Sequence, residues 1–271
     1  MDKDFRVDFR VPGLTVGILA MNESARIARC ATSAAFAEKV IVIDSGSEDD
    51  TVALAQAGGA EVHCYDDWQG FATQRNRLLT HVTTEYILFL DADEVIPEPL
   101  AHEIATVVAS GRDEVWEIFW TQVAYGRPLT AMRSTGGIKR LFKTQSLLRY
   151  EGVVHEAPIM RTADTPVRRF QTPVLHYSRE TVYHSLKKLA QYAQLGALKR
   201  AEQGKRGGIL RGTASASAIF IKLYLLRRAF LCGPEGFLFS LFIALECFFR
   251  YVALKYDFNN GRSTAEAMAK R

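Results

Sequence analysis

Four short apolar segments alternate with four helix-like segments in the first hundred residues, and that alternation leaves the chain few folds to choose from. Leu14–Ala20 (LTVGILA), Lys39–Ile43 (KVIVI), Ala60–Cys64 and Tyr86–Leu90 (YILFL) have the length and the β-branched or aromatic content of buried strands. Helices are expected from Ser24, over Thr51–Ala57 with Asp50 as the cap, over Gln69–Leu79, and from Pro97 to about Ser110. Strand and helix alternating in this way fold as an α/β domain, a mostly parallel sheet with helices on both faces.

Beyond residue 112 the pattern changes. Glu114–Ala124, Ile138–Phe142 and Arg168–Leu175 read as strands separated by glycines and basic residues, which predicts a mixed or antiparallel add-on. Val182, Leu186, Leu189 and Ala193 recur at helical spacing, so a long amphipathic helix is expected over Glu180–Gln203. Two apolar helices follow, about Ala214–Leu231 and Gly236–Tyr256, divided by Cys232-Gly233-Pro234. The expected organisation is a catalytic domain over 1–178, with halves at 1–112 and 113–178, and a helical region over 179–271.

Charge is distributed unevenly. Residues 176–271 carry 16 of the 34 Lys and Arg but only 6 of the 30 Asp and Glu, and they are also the most apolar part of the chain. A basic surface suits nucleic acid or anionic lipid, and only lipid also favours exposed Phe, Leu and Ile, so membrane is the expected partner and nucleic acid is not. Glu246 and Arg250 within the last apolar run disfavour a bilayer span. A hairpin lying in the interface is the favoured expectation, and one packed on the protein and one that spans both remain open. Cys30, Cys64, Cys232 and Cys247 lack C-x-x-C spacing, so neither a disulfide framework nor a zinc site is expected. The start, MDKDFRVDFR, has no signal-peptide core, and a cytosolic chain is expected. No G-x-G-x-x-G, Walker loop or G-x-S-x-G elbow occurs, which argues against a dinucleotide oxidoreductase, a P-loop NTPase and an α/β hydrolase.

The informative carboxylates are those at strand ends. Ligands of open α/β sheets bind outside the carboxyl ends of the strands, where Asp44 and the Asp91-Ala92-Asp93 triplet fall. A divalent cation held by one or two carboxylates plus substrate phosphates is the usual way of binding a nucleotide. Read alone, D-x-D is as good a polar turn, and Asn22-Glu23 as good a helix start.

Several segments together resemble glycosyltransferase family 2 enzymes of the Rossmann-like GT-A fold, and within them the lipopolysaccharide core β-1,4-glucosyltransferase group. They are LTVGILAMNE (14–23), VIVIDSGSEDDTVALA (40–55), DWQGFATQRN (67–76), YILFLDADE (86–94), KRLF (139–142), VHE (154–156), LHY (175–177) and IKLYLLRRAFLCGPEGFLFSL (221–241). The resemblance implies metal-dependent inverting transfer of a sugar, glucose from a UDP donor, to a lipid-linked or core saccharide at the cytosolic membrane face. It implies that Ala20, Asn22, Glu23 and Asp44 hold the nucleotide, that Asp91 and Asp93 form the metal motif with Asp93 as direct ligand to Mn2+ or Mg2+, and that Arg75 and Asn76 lie at the donor. Glu156 is the implied base, with His155 as the other candidate. His176 is either a late metal ligand or a core histidine. Of Lys139 and Arg140, strand alternation allows one to face a cleft. Trp68 is the most site-like tryptophan. The stretch Gly126–Gly137 (GRPLTAMRSTGG) departs from the group's pattern, which leaves the acceptor sugar open. Transfer to a polyprenyl phosphate and a silent nucleotide-sugar-binding scaffold are the rival readings.

Overall fold

A computed structural model of the chain describes residues 7–134, 136–152 and 156–258. In chain order the elements are β1 (Val11–Ala20), α1 (Ile27–Ala34), β2 (Ala37–Asp44), α2 (Thr51–Ala57), β3 (Glu61–Cys64), α3 (Phe71–His81), β4 (Tyr86–Asp91), β5 (Glu94–Val95), α4 (Glu98–Ala109), β6 (Val115–Ile118), β7 (Trp120–Ala124), β8 (Arg127–Pro128), β9 (Ile138–Lys143), β10 (Leu147–Glu151), β11 (Ala157–Met160), β12 (Val167–Arg169), β13 (Val174–Arg179), α5 (Val182–Glu202), α6 (Ile209–Ile221) and α7 (Gly233–Ala253). They form two compact units, one of Met1–Trp120 with Thr135–His176 and one of Thr121–Ser134 with Tyr177–Arg271.

The first unit is built on a seven-stranded sheet of order β12-β6-β9-β4-β1-β2-β3. The β4-β1-β2-β3 half is parallel throughout, while β9 runs antiparallel to β4 and β6. Strands buried on both faces read as continuous apolar runs rather than alternations, and β1 and β4 are such strands. One layer of core joins Val16, Ile18, Leu88 and Leu90 to Ile27 of α1 and Leu100 and Ile104 of α4. The other joins Ile41, Ile43, Ile87 and Phe89 to Leu78 of α3 and Tyr150 of β10. At Gly17 a Cβ would stand 2.5 Å from a Leu78 methyl group, so the absence of a side chain lets α3 lie close against β1. The mixed α/β architecture expected from the sequence is the one observed.

Several local expectations are corrected. Arg168–Leu175 is two strands, because Phe170 turns into the core and the N–H groups of Gln171 and Thr172 donate to Glu103 instead of a ladder. Glu114–Ala124 breaks between β6 and β7, where the Phe119 carbonyl accepts from Val174 N. The start of α2 is satisfied by Asp49, whose carboxylate accepts from Thr51 N at 3.0 Å, rather than by Asp50, whose side chain makes no cap bond.

The second unit contains α5, α6, α7 and the β7–β8 hairpin. Both α5 and α6 pack on α7. Glu246 of α7 is buried and paired with Arg179 at the end of β13, which explains an acid inside so apolar a helix. The helix expected over Ala214–Leu231 begins earlier, at Ile209, and is broken by a π turn over Lys222–Leu226 and a left-handed Arg228 (φ 61°) before a 3-10 turn leads into α7.

Candidate active site

β1, β2 and β4 are parallel neighbours, and their register sets Asp44 beside Ala20 and Asp91 beside Leu19. Each strand end therefore delivers its loop to one edge of the sheet. Buried Asp44 accepts from Gly46 N at 3.1 Å, from Ser47 N at 2.9 Å and from the Ser47 hydroxyl, and the Ala20 carbonyl accepts from Ser45 N. Asn22 adopts left-handed backbone (φ 55°), from which its N–H reaches Ser47 Oγ and its Oδ1 accepts from Glu48 N. Glu23 donates its N–H to Thr51 Oγ1 and pairs with Arg26 at 2.6 Å. Four of the expected nucleotide residues thus form one stitched lip, with Asp44 as the anchor of its own turn.

The acidic triplet after β4 divides its roles. Asp91 takes a two-pronged contact from Arg140, at 3.1 and 2.5 Å, and a longer one from Arg75 at 3.4 Å. Burial alone would raise the Asp91 carboxyl, yet the Arg140 and Arg75 guanidinium groups outweigh it and hold Asp91 well below the ordinary carboxylate range. Asp93 points instead to His176, with its Oδ2 3.2 Å from Nε2. Burial would lower that imidazole, but Asp93 prevails and keeps it above its ordinary value. Buried Glu94 accepts from Asp91 N at 2.9 Å, from the Trp120 indole N–H at 2.5 Å and from Arg140 at 3.4 Å. Burial, and then Asp91, push the Glu94 carboxyl up against the opposing pull of Arg140. The Trp120 ring also lies 5.9 Å from that of His176.

Arg75 enters from α3 with 6% of its surface exposed. Its guanidinium carbon lies 5.4 Å from the ring centres of both Phe89 and Tyr150, and its Nη2 is 3.5 Å from Glu156. Its Nε and Nη1 are buried without a hydrogen-bond partner among the described residues. A buried guanidinium with two donors unmet is costly unless a ligand accepts from it. Asn76, one residue on, is engaged elsewhere, giving Nδ2–H to the Tyr150 carbonyl at 3.0 Å and accepting Tyr150 N–H at 2.7 Å. Of the Lys139–Arg140 pair, it is Arg140 that faces the acidic cluster, while Lys139 registers against Glu117. Trp68 is exposed and set edge-on to Phe71. His155 lies outside the described residues.

A sequence model described as Glycosyl transferase family 2 matches residues 15–161, which contain every one of these groups except His176. The chain belongs to glycosyl transferase family 2. Across 88% of its length this family 2 glycosyltransferase is 28% identical to a protein named uncharacterized glycosyltransferase in Rickettsia felis, covering 88% of it. It is 24% identical over 87% of its length to the lipopolysaccharide core biosynthesis glycosyltransferase LpsC of Rhizobium meliloti, covering 89% of that protein. Among solved structures, glucosyl-3-phosphoglycerate synthase of Mycobacterium tuberculosis with Mn2+, UDP and glucosyl-3-phosphoglycerate is 26% identical. That likeness spans 41% of this chain and 44% of the other, with a TM-score of 0.35.

Among the described residues no three His, Cys, Asp or Glu side chains converge as a ready metal-binding group. Asp93 and His176 supply an oxygen and a nitrogen donor side by side, and Asp91 is paired with Arg140 with its side chain 38% exposed. Three members of the cluster were not among the expected site residues. Glu94 was visible as the third acid of DADE, Trp120 only as one tryptophan among three, and Tyr150 gave no signal at all.

Proposed function

We propose that the enzyme transfers a sugar, glucose in the first instance, with inversion, from a UDP-linked donor to a lipid-linked or lipopolysaccharide-core saccharide at the cytosolic face of the membrane. The observation that carries this is the buried Arg75, which has Nε and Nη1 unmet while its Nη2 lies beside Asp91, at the end of a parallel strand, and Glu156. A diphosphate is the acceptor such a group lacks. Asp93 and His176 would hold Mn2+ or Mg2+, with phosphate oxygens completing the shell, since hard cations bind nucleotides through few protein ligands. Bound there, the cation would neutralise charge gathering on the departing diphosphate. Arg75 donates to the same diphosphate, and the Asn22–Ser47 lip borders the nucleotide. Glu156 takes the proton of the acceptor hydroxyl as the new glycosidic bond forms. The lipopolysaccharide-core acceptor draws its support from the name of the Rhizobium relative.

The test is release of nucleoside diphosphate by purified protein from a panel of sugar nucleotides, with Mn2+, Mg2+ or chelator and a lipid-linked acceptor. Activity with one UDP-sugar that chelator abolishes and Asp93→Asn lowers at least a hundredfold is expected. Chelator-insensitive turnover overturns the cation assignment. One observation favours a second reading: the Glu156 carboxylate already has a partner, lying 3.5 Å from Arg75, where a base must meet the acceptor hydroxyl. Transfer to a polyprenyl phosphate oxygen has little need of one. Glu156→Gln separates the two, since unchanged turnover points to the phosphate acceptor.

A further inference from the structure

We infer that the second unit docks on an anionic lipid surface through the tip formed by the end of α6 and the turns that follow it. The inference gives a place to the membrane-face part of the reading above and does not depend on the donor chemistry. The packing of α6 is the reverse of a water-soluble helix. Its one buried residue is Gly212, where a Cβ would stand 2.9 Å from the Phe248 carbonyl, and Ala and Ser fill 214–218. Large apolar residues face outward instead: Leu210 is 87% exposed, Leu226 67%, and Ile221, Leu225, Phe230 and Leu231 are about half exposed. A helix that approaches its neighbour through one buried glycine and turns its large apolar residues outward suits lipid, whereas water selects an apolar stripe turned inward. At the tip, Tyr224 lies within 5.2–6.2 Å, ring to ring, of Phe220, Phe230 and Phe237, which makes the patch continuous.

Charge decides the occupant. Lys222 and Arg228 are exposed and Arg227 half-buried within the same turn, and the surrounding region holds 16 basic residues against 6 acidic ones. A second copy of the chain would bring the same positive rim against this one, whereas an anionic bilayer complements it. Ile209–Leu226 and Ala229–Phe258 are each long and apolar enough to cross a bilayer, but three cations interrupt the run at its tip and Glu246 of α7 is committed to Arg179 inside the unit, and these favour a hairpin lying in the interface.

Vesicle flotation of the full chain tests this, with phosphatidylcholine alone and mixed with phosphatidylglycerol. The wild type is expected to float with the mixed vesicles. The Leu225→Glu/Leu226→Glu variant should stay at the bottom, while Leu148→Glu, an exposed position in the other unit, should float. Each basic residue near an anionic surface is worth about fivefold in partitioning, so the Lys222→Gln/Arg227→Gln/Arg228→Gln variant should bind roughly a hundredfold more weakly. Unchanged melting temperatures verify folding, and nucleoside diphosphate release, measured on the same variants with a soluble acceptor, should be unchanged whether or not they float. Failure of the wild type to float on either vesicle overturns the inference. So does equal flotation of the Leu225/Leu226 variant, or a dimer in solution that this variant splits into monomers.

Discussion

Replacing Arg140 by Met should cost the first unit about 3 kcal/mol, and the structure sets that figure. Exposed ion pairs contribute about 0–1 kcal/mol, whereas removing one partner of a buried pair costs about 3–5 kcal/mol, because the other charge is left buried and uncompensated. Arg140 is 4% exposed and touches two carboxylates. The Glu94 side chain is 3% exposed and has no access to water as a substitute, whereas that of Asp91 is 38% exposed and retains Arg75. The loss therefore comes mainly from Glu94, which places it at the lower end of the buried range. Adding Glu94→Gln removes the stranded charge while leaving an oxygen for the Asp91 N–H, so the double variant should recover at least 1 kcal/mol. Urea unfolding followed by tryptophan fluorescence measures this cleanly, since all three tryptophans (Trp68, Trp116 and Trp120) lie in the first unit and the signal is blind to the helical one. A loss below 1 kcal/mol for Arg140→Met, or strict additivity in the double variant, refutes the idea that Arg140 is the counter-charge of Glu94.

Asn76→Ala should lower stability by about 2–4 kcal/mol in the same assay, since it strands both the N–H and the carbonyl of Tyr150, and Asn76→Asp should be nearly as damaging because its second oxygen faces that carbonyl. Glu246→Gln in the second unit should cost about 3 kcal/mol by leaving Arg179, whose Nη1 already lacks a partner among the described residues, without its counter-charge. Loss of helical circular dichroism with urea is the readout, and a midpoint equal to wild type would contradict it. Burial is the largest single effect and raises the Asp49 carboxyl, but the bonds from Thr51 and Ser24 together outweigh it and bring the group down to about 2. A lowered folded value stabilises above the ordinary carboxylate range and is lost as pH falls towards 2, so the gap in melting temperature between wild type and Asp49→Asn should shrink steadily from pH 5 to pH 3. A gap independent of pH would show that the 49–51 contacts contribute nothing through charge.

What the sequence made legible and what it hid follow the range of the interactions involved. β1, β2 and β4 could be read because strand burial depends on a few consecutive residues, and Asp44 and Asp91 could be placed because they terminate those strands. The choice between Lys139 and Arg140 could not, because alternation gives two faces and only the pairing of β9 with β4 says which one meets Asp91. Trp120 and Tyr150 reach the site from separate elements brought together by the sheet and α3, and no local pattern marks them, whereas Glu94 stood in the DADE run without a sign that it would turn inward to meet Trp120. The hairpin misled for a different reason. Apolar content was read as one continuous helix to Leu231, but a left-handed Arg228 and the close approach of Gly236 to Ala229 turn the chain there, and neither is visible in hydropathy.

The two aspartates of the triplet share spacing and strand-end position, yet the residues that arrive from elsewhere make them unlike. Arg140 contacts both oxygens of Asp91, and Arg75 adds a third contact, so Asp91 serves as the anion that keeps two guanidiniums side by side at the sheet edge. Two cations held that close would repel one another without it. Asp93, two residues on, lies against the His176 imidazole, and on the proposed reading this pair is the part of the loop that receives the metal ion. On the proposed reading one carboxylate organises the groups that bind diphosphate oxygens and the other binds the cation that bridges to them. On that reading the motif needs two acids, because a single one could not both neutralise the arginines and hold a cation.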